Sequence, residues 1–191
     1  MNKYKIISVL GGPASGKGTL CAKLTKNFNC IVHISVGDVI RAQKDLKPEF
    51  INLMKNGYIL PAPFVGDLIV SHIKDNFDVD KIILLDGFPR DKDNYDYFCN
   101  EMTKFFNLIC IIVIECNNNI MVERTIDRSK SSGRLDDNIE TCLKRIKSYH
   151  DETKQIIKLF DNRLIKKVSG EDGCENKAYD EIVKHLNLQN E

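Results

Sequence analysis

No run of apolar residues in this 191-residue chain approaches the length needed to cross a bilayer. The first apolar stretch, Tyr4 to Leu10, is shorter than a secretory signal core and leads into Gly11-Gly12-Pro13 instead of a small-residue cleavage site. A buried strand is expected there, with no leader and no membrane partner. Charge of one sign is missing too: Lys and Arg total 28 against 27 Asp and Glu, a formal net charge of +1. No global field then draws the chain onto nucleic acid, and an anion site has to be a local gathering of basic side chains. Cys-x-x-Cys is absent, and the 7 cysteines are odd in number. Metal binding or a disulfide framework stays open, but the pattern favours reduced thiols in a cytoplasmic protein, the nucleus being an alternative compartment. Repeats, low-complexity tracts and a convincing linker are also lacking. A single domain over 1–191 and a monomer are expected.

What is present is ordinary for a globular domain, 42% hydrophobic and 29% charged. Short apolar runs at Tyr4–Leu10, Ile31–Ser35, Lys81–Leu85 and Leu108–Ile114 read as strands, and Leu164–Val168 can supply a fifth. Helical spacing falls between them, at Lys17–Phe28, around Val39, from Pro48 to a cap at Gly57, and at Phe64–Lys74. It resumes at Ile120–Arg128, Asn138–Phe160 and Ala178–Leu188. Strands alternating with helices predict an α/β sandwich around a mainly parallel five-stranded sheet.

The strongest local signal is Gly11-Gly12-Pro13-Ala14-Ser15-Gly16-Lys17-Gly18-Thr19, between a predicted strand and a predicted helix. Glycines let the backbone wrap an anion, the helix N-terminus adds positive potential, and Lys17 reaches the outer phosphates. The general pattern has the hydroxyl directly after the Lys, whereas here Gly18 intervenes and Thr19 carries it. The plain alternative is a Gly-rich turn with an exposed Lys. Arg41, Arg90, Arg128, Arg134 and Arg145 each read singly as surface residues. As a set in a nearly neutral chain they can form the positive cluster of a multi-phosphate site. Asp86, at a strand end, is a candidate for ordering Mg²⁺ through water, or else caps a turn. His33, Cys21, Cys30, Cys110 and Cys142 read as packing residues, and Glu171-Asp172 as solvated.

Five blocks in fixed order carry a resemblance over nearly the whole chain. They are Gly11 to Thr19; His33 to Asp38 with Arg41; Asp86-Gly87-Phe88-Pro89-Arg90; Glu123-Arg124 to Arg128; and Ser131 to Asn138 with Arg145. The sequence resembles the nucleoside monophosphate kinases of the adenylate kinase superfamily, and within them the UMP-CMP kinase branch. That resemblance implies a P-loop three-layer sandwich, with a helical NMP-binding segment at about 35–64 and a short lid at about 128–138. It implies transfer of the γ-phosphoryl group of Mg-ATP to CMP or UMP, and plausibly dCMP. On that reading Ala14 to Thr19 with Arg128 and a carbonyl near Gly173 hold ATP. Arg41 and Arg90 clamp the acceptor phosphate, while Ser35, Tyr58, Ile59, Leu60, Gly87 and Phe88 line the acceptor pocket. Arg134 and Arg145 bridge both nucleotides, and Asp136 and Asp137 orient the arginines. Lys17, Arg90, Arg128, Arg134 and Arg145 form the catalytic set. The family's long lid with a cysteine zinc site is absent, so no cysteine is expected as a ligand.

The resemblance also implies that the acceptor base is read four positions after Arg90, by Asn94, where adenylate kinases typically carry Gln. A shorter amide withdraws its polar atoms by about one methylene, and a pyrimidine can fill the gap. The enzymatic alternative is AMP as acceptor. The alternative of another class is a non-catalytic ATP-binding switch, disfavoured because a mere binder needs no positive charge on both sides of the γ-phosphate.

Overall fold

The computed structural model describes residues 3–134 and 136–188; Leu135, within the predicted lid motif, lies outside them. Its centre is a sheet of β1 (Tyr4–Gly11), β2 (Ile31–Ser35), β3 (Ile82–Asp86), β4 (Phe106–Glu115) and β5 (Ile165–Ser169), in the order β2-β3-β1-β4-β5. Every pairing is parallel, as the near-continuous apolar runs predict for strands covered on both faces. Nine helices follow in chain order among the described residues: α1 (Lys17–Asn27), α2 (Val36–Arg41), α3 (Pro48–Lys55), α4 (Ala62–Asn76), α5 (Lys92–Asn100), α6 (Asn118–Ser129), α7 (Ile139–Ser148), α8 (Lys154–Ile157) and α9 (Glu175–His185).

Two apolar clusters sandwich the sheet. On one face Ile6, Ile83 and Leu85 pack with Ile69 and Ile73 of α4 and Phe98 of α5. On the other, Ile7, Val9 and Leu84 pack with Leu20, Cys21 and Leu24 of α1 and with Ile182 of α9. The alternation of Ile6 and Ile7 to opposite clusters follows from the two-residue period of a strand. Each fully buried Ile or Leu contributes about 1.5–3 kcal/mol of transfer free energy, so both helix layers are firmly held.

The parallel register brings the strand ends to one edge. Val9, Asp86 and Ser35 lie side by side, as do Gly11 and Ile114, and Glu115 and Ser169. Open parallel sheets carry their ligands in the crevice outside this edge. Three side chains start helices there: Ser35 accepts from the Asp38 N–H at 3.3 Å, Asp91 from the Asn94 N–H at 2.8 Å, and Asn138 from the Thr141 N–H at 2.9 Å.

Two elements differ from expectation. α5 has no counterpart in the sequence reading, because Lys-Asp-Asn-Tyr-Asp-Tyr-Phe-Cys-Asn is rich in weak helix formers and buries only Asn94 and Phe98. The single helix expected over Asn138–Phe160 is instead α7, a π-type turn at Tyr149–Thr153, and α8. That widened turn lets Thr153 donate to the Arg90 carbonyl at 2.6 Å.

Candidate active site

The loop after β1 runs directly into α1. Gly16 caps the helix with φ 99°, a left-handed conformation glycine adopts at little cost. No side chain caps α1, so its first N–H groups remain available to an anion. Lys17 folds back over the loop, its Nζ donating to the carbonyls of Gly11 at 3.0 Å and Gly12 at 2.7 Å. Burial brings the Lys17 pKa down to about 8; the Asp86 charge opposes the shift, and Arg90 and Arg145 reinforce it.

The turn after β3 supplies the facing wall. Gly87, at φ 87°, is the position over which the Arg90 guanidinium lies: a Cβ there would sit 2.7 Å from Arg90 Nη2. Arg90 Nε donates to the Gly87 carbonyl at 2.8 Å. His33 Nε2 lies 3.3 Å from Asp86 Oδ2. Burial alone would raise the Asp86 carboxyl, but the His33 hydrogen bond and the Lys17 charge outweigh it and hold it below the ordinary range.

The third wall comes from the segment around α6 and α7. Asp137, its side chain fully buried, accepts from Arg128 Nε at 2.8 Å and Nη2 at 2.6 Å, and from Ser132 Oγ at 2.6 Å. Arg145 Nη1 donates to Asp136 at 2.7 Å, with Arg41 Nη1 3.9 Å from the same carboxylate. Arg134 reaches across to α2, donating to Asp38 at 3.0 Å, where Arg41 also donates at 2.6 Å. Burial, with Arg90 beside it, lowers the Arg145 pKa to about 10. Asp137→Ala is expected to lower unfolding free energy by about 3 kcal/mol, the low end for breaking a buried pair. Arg128 keeps a 33%-exposed side chain that can turn to water, which limits the loss. Urea unfolding of both proteins measures it.

These walls enclose one cleft of about 510 Å³, within the range of ligand sites. Eight cationic side chains and five carboxylates line it, an excess of positive charge in a chain of net +1. Ala14 to Thr19 border one end; Ser35, Arg41, Tyr58, Ile59 and Leu60 border the other. Asp86, Gly87, Phe88, Arg90 and Asn94 form the floor, with Arg128, Arg134, Asp136 and Arg145 above. Among the described residues, three buried side-chain polar atoms lack a partner: Ser15 Oγ, Asn94 Nδ2 and Tyr149 Oη. The first two residues line this cleft and the third a small cavity beside it. Buried polar atoms are rarely left unpaired, so Ser15 Oγ and Asn94 Nδ2 are free to bond a ligand or an ordered water in the cleft.

Some expectations change. Gly173 does not line the cleft; Gly170 and Asp172 do, because the turn after β5 presents its earlier residues to the loop. Gly170 packs so closely that a Cβ would lie 2.2 Å from the Ser15 carbonyl. Asp172 is solvated as expected, its side chain 76% exposed, and it also pairs with Arg124, which donates to the Gly170 carbonyl at 2.7 Å. Arg124 was given no role of its own from sequence. Asp137, expected to orient the arginines, holds Arg128 from behind the cleft lining. His33, read as a packing residue, is 23% exposed at its side chain and stands in the cleft wall.

A sequence-family model described as Adenylate kinase matches residues 9–165. The chain belongs to the adenylate kinase family. Its relatives include the UMP-CMP kinase of Danio rerio, 34% identical over 169 residues, covering 84% of this chain and 86% of that protein. The uridylate kinase of Saccharomyces cerevisiae (strain ATCC 204508 / S288c) is 37% identical over 170 residues, covering 85% and 80%. Adenylate kinase isoenzyme 1 of Bos taurus is 30% identical over 191 residues, covering 97% and 96%. The resemblance read from the five blocks thus has its counterpart over most of the chain. Among the described residues no helix is long and apolar enough to cross a membrane.

Proposed function

We propose that the protein transfers the γ-phosphoryl group of Mg-ATP to a pyrimidine nucleoside monophosphate, CMP or UMP, releasing ADP and the nucleoside diphosphate. One observation carries this reading: Lys17, Arg90, Arg134 and Arg145, scattered over 129 sequence positions, line one cleft beside an uncapped helix N-terminus. Membership of the adenylate kinase family and similarity to UMP-CMP and uridylate kinases support it.

The donor triphosphate lies against the loop from Ala14 to Thr19. Its phosphates take over the Lys17 hydrogen bonds now made to Gly11 and Gly12. Asp86 and Thr19 offer oxygen donors suited to a hydrated hard cation and would hold Mg²⁺ through water. When bound, that ion neutralises charge between the outer phosphates. The acceptor phosphate is gripped by Arg41 and Arg90. The nucleophile is a phosphate oxygen already anionic at neutral pH, so no general base is needed. The barrier is the approach of two polyanions, which fixed guanidinium groups offset without reorganising. The segments at about 35–64 and 128–138 act as acceptor-binding wall and lid. Before nucleotide binds, Asp38 and Arg134 join the two segments; with substrates bound, closure of both over the phosphates would keep water, the competing acceptor, away.

Asn94 supports the pyrimidine assignment. It is 2% exposed, and its Oδ1 accepts from the Arg90 N–H at 3.4 Å, which turns Nδ2 into the free donor. Cytosine and uracil differ at position 4 but share a carbonyl acceptor at position 2, so one fixed donor serves both. A coupled ADP-release assay with CMP, UMP, dCMP and AMP at matched concentrations tests the reading. CMP or UMP is expected to have the highest kcat/KM; AMP turning over fastest would reject the assignment. Asn94→Gln is expected to lower kcat/KM for both pyrimidines about tenfold or more, since the longer amide crowds the ring and leaves polar atoms unpaired.

A further inference from the structure

We propose that Cys21, His33 and Asp86 form a binding site for a thiophilic divalent cation of the Zn²⁺ type at the base of the cleft. This departs from the expectation that no cysteine acts as a ligand. The three residues come from α1, β2 and the end of β3, and one ligand atom from each lies within 4.8 Å of the other two. A tetrahedral Zn²⁺ with S, N and O donors needs ligand separations of about 3.3–3.6 Å, from bond lengths near 2.0–2.3 Å. Side-chain adjustments on the order of an ångström close that gap, and His33 Nε2 already points at Asp86 Oδ2 from 3.3 Å.

The chemistry of the set is selective. Thiolate, imidazole and carboxylate suit Zn²⁺ or Co²⁺, while Mg²⁺ prefers oxygen alone. Coordination replaces the Cys21 S–H bond by an S–metal bond and releases that proton to the buffer. Thiolate and carboxylate then cancel the charge of the ion, which makes the site tolerable beside Lys17 and Arg90. Cys21 is fully buried, but His33 and Asp86 both line the cleft, so the ion enters from there and solvent supplies a fourth ligand. Occupation removes Asp86 from its place opposite Lys17. On the proposed phosphotransfer reading, the bound ion therefore inhibits the enzyme, whereas metal binding itself does not depend on that reading.

The nucleotide-free chain is titrated with Co²⁺ and followed by absorption, then with Zn²⁺ by calorimetry. One equivalent is expected, with a sulfur-to-metal charge-transfer band and the visible bands of a four-coordinate ion. Cys21→Ala should abolish the charge-transfer band, whereas Cys116→Ala and Cys99→Ala should keep it. His33→Gln should weaken Zn²⁺ by more than the roughly 10–100-fold that loss of an outer-shell partner costs, and it keeps the test decisive if Cys21→Ala does not fold. In the kinase assay Zn²⁺ should inhibit the wild type and spare the otherwise active Cys21→Ala. A Co²⁺ spectrum without sulfur character, or one unchanged by Cys21→Ala, would overturn the site. Zn²⁺ bound through Cys21 without any inhibition would leave the site standing and reject its coupling to phosphotransfer. Absence of kinase activity in Zn²⁺-free protein assayed with Mg-ATP would count against the proposed function alone.

Discussion

Arg90→Ala is expected to lower kcat for CMP by about 10³-fold or more, the range seen when an arginine facing a transferring phosphoryl group is lost. The expectation comes from how Arg90 is held. Among the described residues it makes no ion pair; its Nε bonds to the Gly87 carbonyl and its own carbonyl is fixed by Thr153. Burial, with Arg41 nearby, lowers its pKa despite the opposing Asp86 charge, so its guanidinium is a charge the protein itself leaves largely unmet. Two phosphates can meet it. Its removal relieves crowding among cations, and thermal stability should stay level while turnover collapses. Arg90→Lys should rescue less than a tenth of the activity, because a single ammonium cannot reproduce the planar fork. Steady-state kinetics with a melting curve on the same samples check both halves. A kcat within tenfold of wild type for Arg90→Ala would remove this residue from the proposed catalytic set.

Lys17→Met should lower kcat/KM by about 10³-fold, comparable to loss of a main electrostatic contact in phosphoryl transfer. It should also change how binding responds to pH. Lys17 has a pKa of about 8 without nucleotide, against an ordinary 10.5. A phosphate at its Nζ raises that value again. ATP is therefore bound most tightly below about pH 8, and its affinity falls as pH rises through and beyond that value. Binding near pH 8 takes up a proton, which calorimetry in two buffers of different ionisation enthalpy measures directly. Lys17→Met should take up none. The same displacement has the opposite sense for folding. Between about 8 and 10.5 the unfolded chain holds more protons on this lysine, so its contribution to stability rises with pH there. Equal proton uptake in wild type and Lys17→Met would assign the linkage to another group.

The phosphate loop was legible because its chemistry is contiguous: Gly16, Lys17 and Thr19 stand within four positions between a strand and a helix. Most of the sheet was legible for a similar reason, since β1, β3 and β4 are near-continuous apolar runs, whereas β5 carries Lys166 and Lys167 at the sheet's edge. A gathering of the arginines was suggested by the near-neutral charge, but the separate places of Arg134 and Arg145 in one cleft with Lys17 came from the resemblance, because nothing in local spacing aims two distant guanidinium groups at one site. Contacts between distant segments were the least visible. His33 meets Asp86 across 53 positions, and Arg124 meets Gly170 across 46. α5 was missed since its stability comes from Phe98 in the core and the Asp91 cap, not from helix propensity.

Asp38 and Asp136 give the cleft's arginines resident counterions of their own. Arg41 and Arg134 share the first carboxylate, and Arg145 and Arg41 attend the second. A nucleotide entering this place exchanges with tethered anions and does not simply neutralise bare cations. Most of the Coulomb gain is thereby spent on replacement, and what remains favours ligands whose oxygens outnumber and outreach two carboxylates. A lone inorganic anion gains little from such an exchange, whereas an extended phosphate chain offers oxygens enough to replace both carboxylates.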